Sequence, residues 1–102
     1  MSKRVNGVHV NTYRIMWLFV YFDLPTKTKK ERRAYTDFRK QLQAFGFTMR
    51  QYSIYERHCP SREKAEVYID KVRRILPQKG NVSILQVTDK QYGMIRNFSG
   101  ME

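Results

Sequence analysis

Cysteine is nearly absent: Cys59 is the single one in 102 residues. No internal disulfide and no cysteine-rich zinc site can form, which points to a reducing compartment. Long apolar runs are missing too. The longest, Ile15 to Phe22, has eight residues, against the roughly 20 that a membrane-spanning helix needs. Lys3 and Arg4 precede the polar residues Asn6, His9 and Asn11, where a secretory signal would carry an apolar stretch. The expected location is the cytoplasm, with no membrane partner. No Gly-rich phosphate loop of Walker or dinucleotide type occurs. The aromatic signature of RNA-recognition modules is absent as well, Phe45-Gly46-Phe47 being only a fragment of it. Acidic residues are the scarcest functional class, nine against twenty Lys and Arg, for a net charge of +11 and an isoelectric point near 10.1. Such a surplus costs self-repulsion in a short chain and is expected where the partner is a polyanion. Nucleic acid comes ahead of an anionic membrane surface.

What is present suffices for one small packed domain: 41% of the residues are hydrophobic and 14% aromatic. Residues 1–13 lack periodicity and read as a mobile, extended basic arm, with a single domain over 14–102. Arg14 to Phe22 is aromatic and β-branched and ends at Asp23-Leu24-Pro25. It predicts a strand buried on both faces, because apolar and polar residues do not alternate. Two helices can cover one face, so a second copy of the chain is expected on the other. Thr28-x-x-Glu31 fits a capping box. The stripe Ala34, Phe38, Leu42 and Phe45, with Tyr35 beside it, then predicts a helix over 28–45 that Gly46 terminates. Phe47 to Cys59 reads as one long strand, kinked near Gln51-Tyr52. Ser61 caps a second helix with Ala65, Ile69, Val72 and Leu76 inside, and Pro77 to Gly80 ends it. Asn81 to Thr88 is a strand, and Gln91 to Phe98 a candidate short last strand. Two helices on one face of an antiparallel sheet give an α+β, ferredoxin-like βαββαβ sandwich, expected as a homodimer.

The charge is uneven. Residues 27–40 hold seven Lys/Arg and two acids, a local net of +5. Too few carboxylates lie nearby to pair with them, so Lys29, Lys30, Arg32, Arg33, Arg39 and Lys40 are candidate phosphate contacts. These would be positioning contacts, without reading of base edges. Arg62, Lys64, Arg73 and Arg74 extend the same candidate surface. Asp23 is the most informative acid. A carboxylate at a strand end can ligate Mg²⁺, which polarises a phosphodiester and activates water. From spacing alone, capping of the following turn is the stronger role. One carboxylate is a thin metal site, although a two-fold dimer would supply a second copy. His58 and Cys59 are adjacent, so on a strand they face opposite sides and do not share a metal easily. Ser53 and Ser61 lack a His/Asp partner that would make either a nucleophile. Tyr52 and Tyr55 are candidates for stacking on bases, with core packing the stronger role for at least one.

Several motifs together resemble a known family. Phe22-Asp23-Leu24-Pro25, then Arg33-Ala34-Tyr35 with Phe38-Arg39-Lys40, then Gly46-Phe47-x-Met49-x-Gln51-Tyr52-Ser53-x-Tyr55 resemble the Cas-two family, the small CRISPR-associated protein of spacer acquisition. Cys59-Pro60-Ser61-Arg62, Pro77-x-Lys79-Gly80 and Leu85-Gln86-Val87-Thr88-x-Lys90-Gln91 look like the version of type II CRISPR systems. The resemblance covers roughly residues 14–98. It implies a ferredoxin-like homodimer with facing sheets and a last strand that crosses to the partner. Asp23 is implied as the metal-binding and catalytic acid, with Mg²⁺ as cofactor. The family resemblance also implies metal-dependent endonuclease activity and a place between two dimers of the CRISPR integrase (the Cas-one family). Double-stranded DNA is the implied ligand there, with single-stranded RNA a further one. A non-catalytic DNA-binding scaffold is the alternative. For the arm, residues 1–13, the resemblance implies nothing.

Overall fold

Alternation along the central apolar run decides the layout. The computed structural model describes residues 15–100, together with the paired backbone strands β1 (Ser2–Val5) and β2 (Val8–Asn11). The side chains of the arm, and with them its basic surface, lie outside the described residues. β3 (Met16–Asp23) is the inner strand of a four-stranded sheet, followed by α1 (Lys29–Ala44), β4 (Thr48–Gln51), β5 (Ile54–Cys59), α2 (Arg62–Arg73), β6 (Asn81–Thr88) and the single turn α3 (Asp89–Tyr92). The sheet order is β4-β5-β3-β6 with every neighbouring pair antiparallel. From β3 to β6 the chain is therefore βαββαβ, the ferredoxin-like arrangement expected.

Met16, Leu18, Val20 and Phe22 alternate onto one face of β3 and are buried. They share a core with Tyr35, Phe38 and Leu42 of α1 and with Ala65 and Val72 of α2. Both helices thus cover the same face, and Phe22 meets the rings of Phe38 and Tyr35 edge-on at 5.1 and 5.8 Å. The opposite face is only partly covered. Tyr92 stacks on Trp17 at 3.7 Å, Asp89 accepts from Trp17 Nε1 at 2.8 Å, and Phe19 lies under Tyr92 and Arg50. Tyr21 and Leu85 stay exposed. Burial on both faces of this strand therefore holds for its first half and fails at its second.

The capping box forms as expected. Thr28 Oγ1 accepts from the Glu31 amide, and Glu31 Oε1 accepts from the amides of Thr28 and Lys27, all within 3.0 Å. At the other end Gly46 takes a left-handed φ of +87°, and the Phe47 amide returns to the Leu42 carbonyl. Arg57 then staples the two helices: it donates to the Phe45 carbonyl and the Tyr68 hydroxyl, its guanidinium 3.7 Å over the Tyr68 ring.

Four local expectations are corrected. Residues 47–59 are a hairpin, with β4 and β5 antiparallel about Tyr52-Ser53. Ser53 carries the turn at φ +64° where no glycine announces it, so the two halves read as one strand. Gln91 to Phe98 forms no strand: Thr88 and Gln91 make a second capping box that winds the chain into α3, and Tyr92 packs on Trp17. Ala34 is exposed and Tyr35 takes its place inside. Leu76 is exposed where Ile75 packs against the core, because α2 ends at Arg73 and the helical spacing stops there.

Gly80 has φ +96°, and a Cβ there would come within 2.6 Å of the Asp23 carbonyl oxygen. Gly80→Ala should destabilise by about 2 kcal/mol or more in urea unfolding. Gly93→Ala, with φ −66° and no neighbour nearer than 3.5 Å, should be neutral. The Thr28 amide bond holds the Glu31 carboxyl below its ordinary 4.5. Its contribution is therefore complete above pH 4.5 and is lost as pH falls through the lowered folded value. Glu31→Gln keeps a capping side chain but cannot titrate, so its Tm difference from wild type should shrink as pH drops below 4.5.

Candidate nucleic-acid interface

The six candidate cations of α1 divide by their helical positions. Lys29, Arg33 and Lys40 lie opposite the buried Tyr35, Phe38 and Leu42, and all three are exposed. Arg32 folds back to donate to the Thr26 and Lys27 carbonyls at 3.1 and 2.9 Å. Arg39 turns toward the hairpin, donating Nε to Tyr55 Oη at 2.8 Å, a bond that holds its guanidinium above the ordinary range. Lys30 lies on the other flank, where Leu24, Pro25, Ala34, Pro77 and Lys79 complete a groove of about 320 Å³. Among the described residues none of the six forms an ion pair. The three pairs found are Arg50–Glu56, Arg73–Asp70 and Lys79–Glu31. Asp37 shares the outward face with Arg33 and Lys40 but pairs with neither, so that face keeps a net positive charge.

The helix's own dipole opposes this arrangement. Lys29 and Lys30 begin α1, where the dipole favours anions, and its last turn holds no cation. Each misplacement costs a few tenths of a kcal/mol, which an external phosphate would offset. In α2 the order is the ordinary one, with Glu63 in the first turn and Lys71 and Arg73 in the last. Arg62, Lys64, Arg73 and Arg74 are exposed, but the dipole already accounts for Arg73, and Asp70 binds it.

Asp23 closes β3 opposite Asn81 and is exposed. Its backbone is pinned on one side by Gly80, whose missing Cβ admits the Asp23 carbonyl. On the other side the Phe22 amide donates to the Ser53 carbonyl at 3.1 Å. Among the described residues no three His, Cys, Asp or Glu side chains gather into a metal cluster. Asp23 would thus offer one carboxylate rather than a cage. That fits Mg²⁺ in the way the ion is commonly held, by one or two carboxylates with water and substrate phosphate filling the shell.

The hairpin tip brings together residues that lie far apart along the chain. Tyr35 Oη and Ser53 Oγ are 3.2 Å apart, and burial pushes the Tyr35 phenol up. Tyr52 lies across Tyr35 with centroids 6.0 Å apart. Tyr55 is wholly buried, so it is a core residue, whereas Tyr52 is 77% exposed. The other candidates resolve simply. Cys59 is buried, which raises its thiol pKa. His58 is exposed with its ring edge-on to Trp17 at 5.2 Å, and Ser61 caps α2. Arg50 is a residue that sequence reasoning misses: it bonds Glu56, Tyr92 and Asn97 and ties the tail to the sheet. No residue in the tail's sequence marks that partnership.

No helix among the described residues is long and apolar enough to cross a membrane. Comparison with known proteins agrees with the fold. The family model for CRISPR associated protein Cas2 matches residues 16–95. A CRISPR-associated endoribonuclease Cas2 from Flavobacterium psychrophilum is 50% identical over 91 residues, 89% of this chain and 79% of the relative. The protein of the same name from Parvibaculum lavamentivorans is 49% identical over 83% of this chain and 84% of its own length. A solved structure described as "Crystal structure of cas2" superposes with a TM-score of 0.60 at 18% identity, covering 86% of this chain and 90% of that one. The fold matches, and the family match runs through β3, Asp23, both helices and the hairpin: the chain belongs to the CRISPR-associated protein Cas2 family.

Proposed function

We propose that the chain acts in the cytoplasm, in CRISPR adaptation, as a homodimeric nucleic-acid-binding subunit of endonuclease type. The observation that carries this is the outward face of α1, where Lys29, Arg33 and Lys40 stand exposed without an ion-pair partner among the described residues. A row of cations on a rigid helix suits a phosphate backbone, which it holds without regard to sequence. Double-stranded DNA is the ligand proposed, with single-stranded RNA a further one. The names of the relatives, CRISPR-associated endoribonuclease Cas2, support phosphodiester cleavage. Asp23, exposed at the end of β3, is the residue that would hold Mg²⁺, and a two-fold dimer would bring a second copy. Such an ion supplies Lewis-acid polarisation of the phosphodiester and a more acidic water. Exposure of Tyr21 and Leu85 on the sheet face away from the helices supports pairing with a second copy. Bridging of two Cas-one integrase dimers is proposed on the family resemblance.

One observation favours a second reading, a DNA-binding scaffold without turnover: a single chain offers one carboxylate and no ligand cluster among the described residues. The two separate cleanly. Asp23→Ala should abolish Mg²⁺-dependent cleavage of RNA or DNA while duplex affinity stays within about twofold of wild type. Residual cleavage at the wild-type rate would remove Asp23 from the chemistry, and absence of cleavage by the wild type itself would favour the scaffold. Reversal of Lys29, Arg33 and Lys40 to Glu should weaken duplex binding and flatten the slope of log affinity against log salt, by about one for each phosphate no longer neutralised. An unchanged slope would place the binding surface elsewhere.

A further inference from the structure

We infer that Tyr52 is a stacking platform for an unpaired base of the bound nucleic-acid strand, at the flank of α1 where Arg39 lies. This rests on the nucleic-acid-binding function proposed above and adds the residue that takes an unpaired nucleotide, at the end of the sheet where β3 stops.

Tyr52 is 77% exposed at the tip of the β4–β5 hairpin. So large an aromatic side chain gains little from burial there, yet its ring is not loose. It lies across Tyr35 at an interplanar angle of 26°, and Tyr35 is itself 8% exposed and within hydrogen-bond distance of Ser53 through its hydroxyl. One side of the platform is thus backed by the core and the rest is open to solvent. Arg39 sits 5.9 Å from the Tyr35 centroid, fixed by its bond to Tyr55 and without an ion-pair partner among the described residues. A supported aromatic ring beside a positioned guanidinium has the composition of sites that bind single strands. The ring stacks a base while the cation attracts the backbone, and every base has a face to offer.

The turn that presents Tyr52 is conformationally unusual. Ser53 holds φ +64°, a region unfavourable for a residue with a side chain, and such backbone gathers at functional sites when its surroundings over-determine it. Here the Phe22 amide grips the Ser53 carbonyl and Tyr35 meets its hydroxyl. The same bond locates the platform. Tyr21 opposes Ile54 and Phe22 bonds to Ser53, so the turn that carries Tyr52 lies at the end of the sheet where β3 stops. The stacking ring and the strand-end carboxylate therefore stand at one end of the sheet. A base inside a blunt duplex is already stacked on its neighbours and has no free face. Unpaired nucleotides, in an overhang or a single strand, are selected without reading their identity.

The test uses the full chain and two probes, a blunt duplex and the same duplex with an overhang carrying 2-aminopurine, whose fluorescence is quenched on stacking. Wild type should bind the overhang probe more tightly and quench it. Tyr52→Ala should lose about tenfold in affinity for that probe, and its quenching, with affinity for the blunt duplex unchanged. Tyr52→Trp should restore both, which a merely structural role for the ring would not. Equal losses on both probes, or quenching that survives Tyr52→Ala, would overturn the inference. So would a change in sedimentation with Tyr52→Ala while quenching persists, since the ring would then serve contact with a second copy. Wild type that binds the blunt duplex but never quenches would overturn the stacking alone. Wild type that binds neither probe would overturn the nucleic-acid function beneath it.

Discussion

Every element is placed by the need to cover β3. Hydrogen-bonded on both edges by β5 and β6, the strand carries Leu18, Val20 and Phe22 toward the helices and Trp17, Phe19 and Tyr21 away from them. The helix side is complete, with Leu18 and Val20 fully buried. On the other side only the first half is covered, by α3 and the tail, where Tyr92 stacks on Trp17 and donates its hydroxyl to Glu56. Partial burial and that carboxylate both push the Tyr92 pKa up, so the contact persists through neutral pH. Tyr21 and Leu85 mark where the intrachain cover runs out. An apolar face that one chain covers in part is the physical basis for expecting a second copy.

The second constraint is charge. A protein with surplus cations can scatter them, pair them or align them. In α2 the cations follow the dipole and Arg73 is paired with Asp70, so ordinary helix energetics accounts for them. In α1 they begin the helix, against the dipole, and leave its last turn without any. The capping box partly compensates, since Glu31 brings a carboxylate to that end and binds two amides there. Its attraction for Lys79 at 3.8 Å is a weak, exposed one. What remains, Lys29, Arg33 and Lys40 on the outward face, forms no ion pair within the described residues, and this is what the phosphate contact proposed above rests on.

Much of this is legible from pattern. The capping box at Thr28, the helical stripe through Phe38 and Leu42, and the cap at Ser61 are local signals whose physics acts within a turn, and each appears where expected. The hairpin does not announce itself, because a two-residue reversal through Ser53 in the left-handed region uses none of the residues that normally mark one. In the tail the Thr88-x-x-Gln91 capping box is a local signal for the turn, but its docking on Trp17, 72 residues from Asp89 along the chain, is a partnership that no local propensity encodes. For the site, the same division holds. Asp23 and the basic run stand out in one dimension. Which cations face outward, and which of Tyr52 and Tyr55 is free, requires the third.

Binding and chemistry place different demands on the scaffold, and the two sites differ accordingly. Phosphate contacts tolerate ångström-scale play, because screened Coulomb attraction falls off gradually with distance, and a helix surface with flexible lysines meets that demand. A catalytic carboxylate does not tolerate such play, since misplacement by about 1 Å can cost on the order of 100-fold in rate. Asp23 itself sits at a strand end, where its carbonyl lies against Gly80 and the amide of its neighbour Phe22 donates to the Ser53 carbonyl. Glycine adopts φ +96° freely, so of these two contacts only Ser53, at φ +64°, holds backbone that costs a residue with a side chain energy. Together the two contacts fix where the backbone leaves β3. On the chemical reading proposed above, a carboxylate at Asp23 would need that fixing; on the scaffold reading it serves the turn that leads into α1.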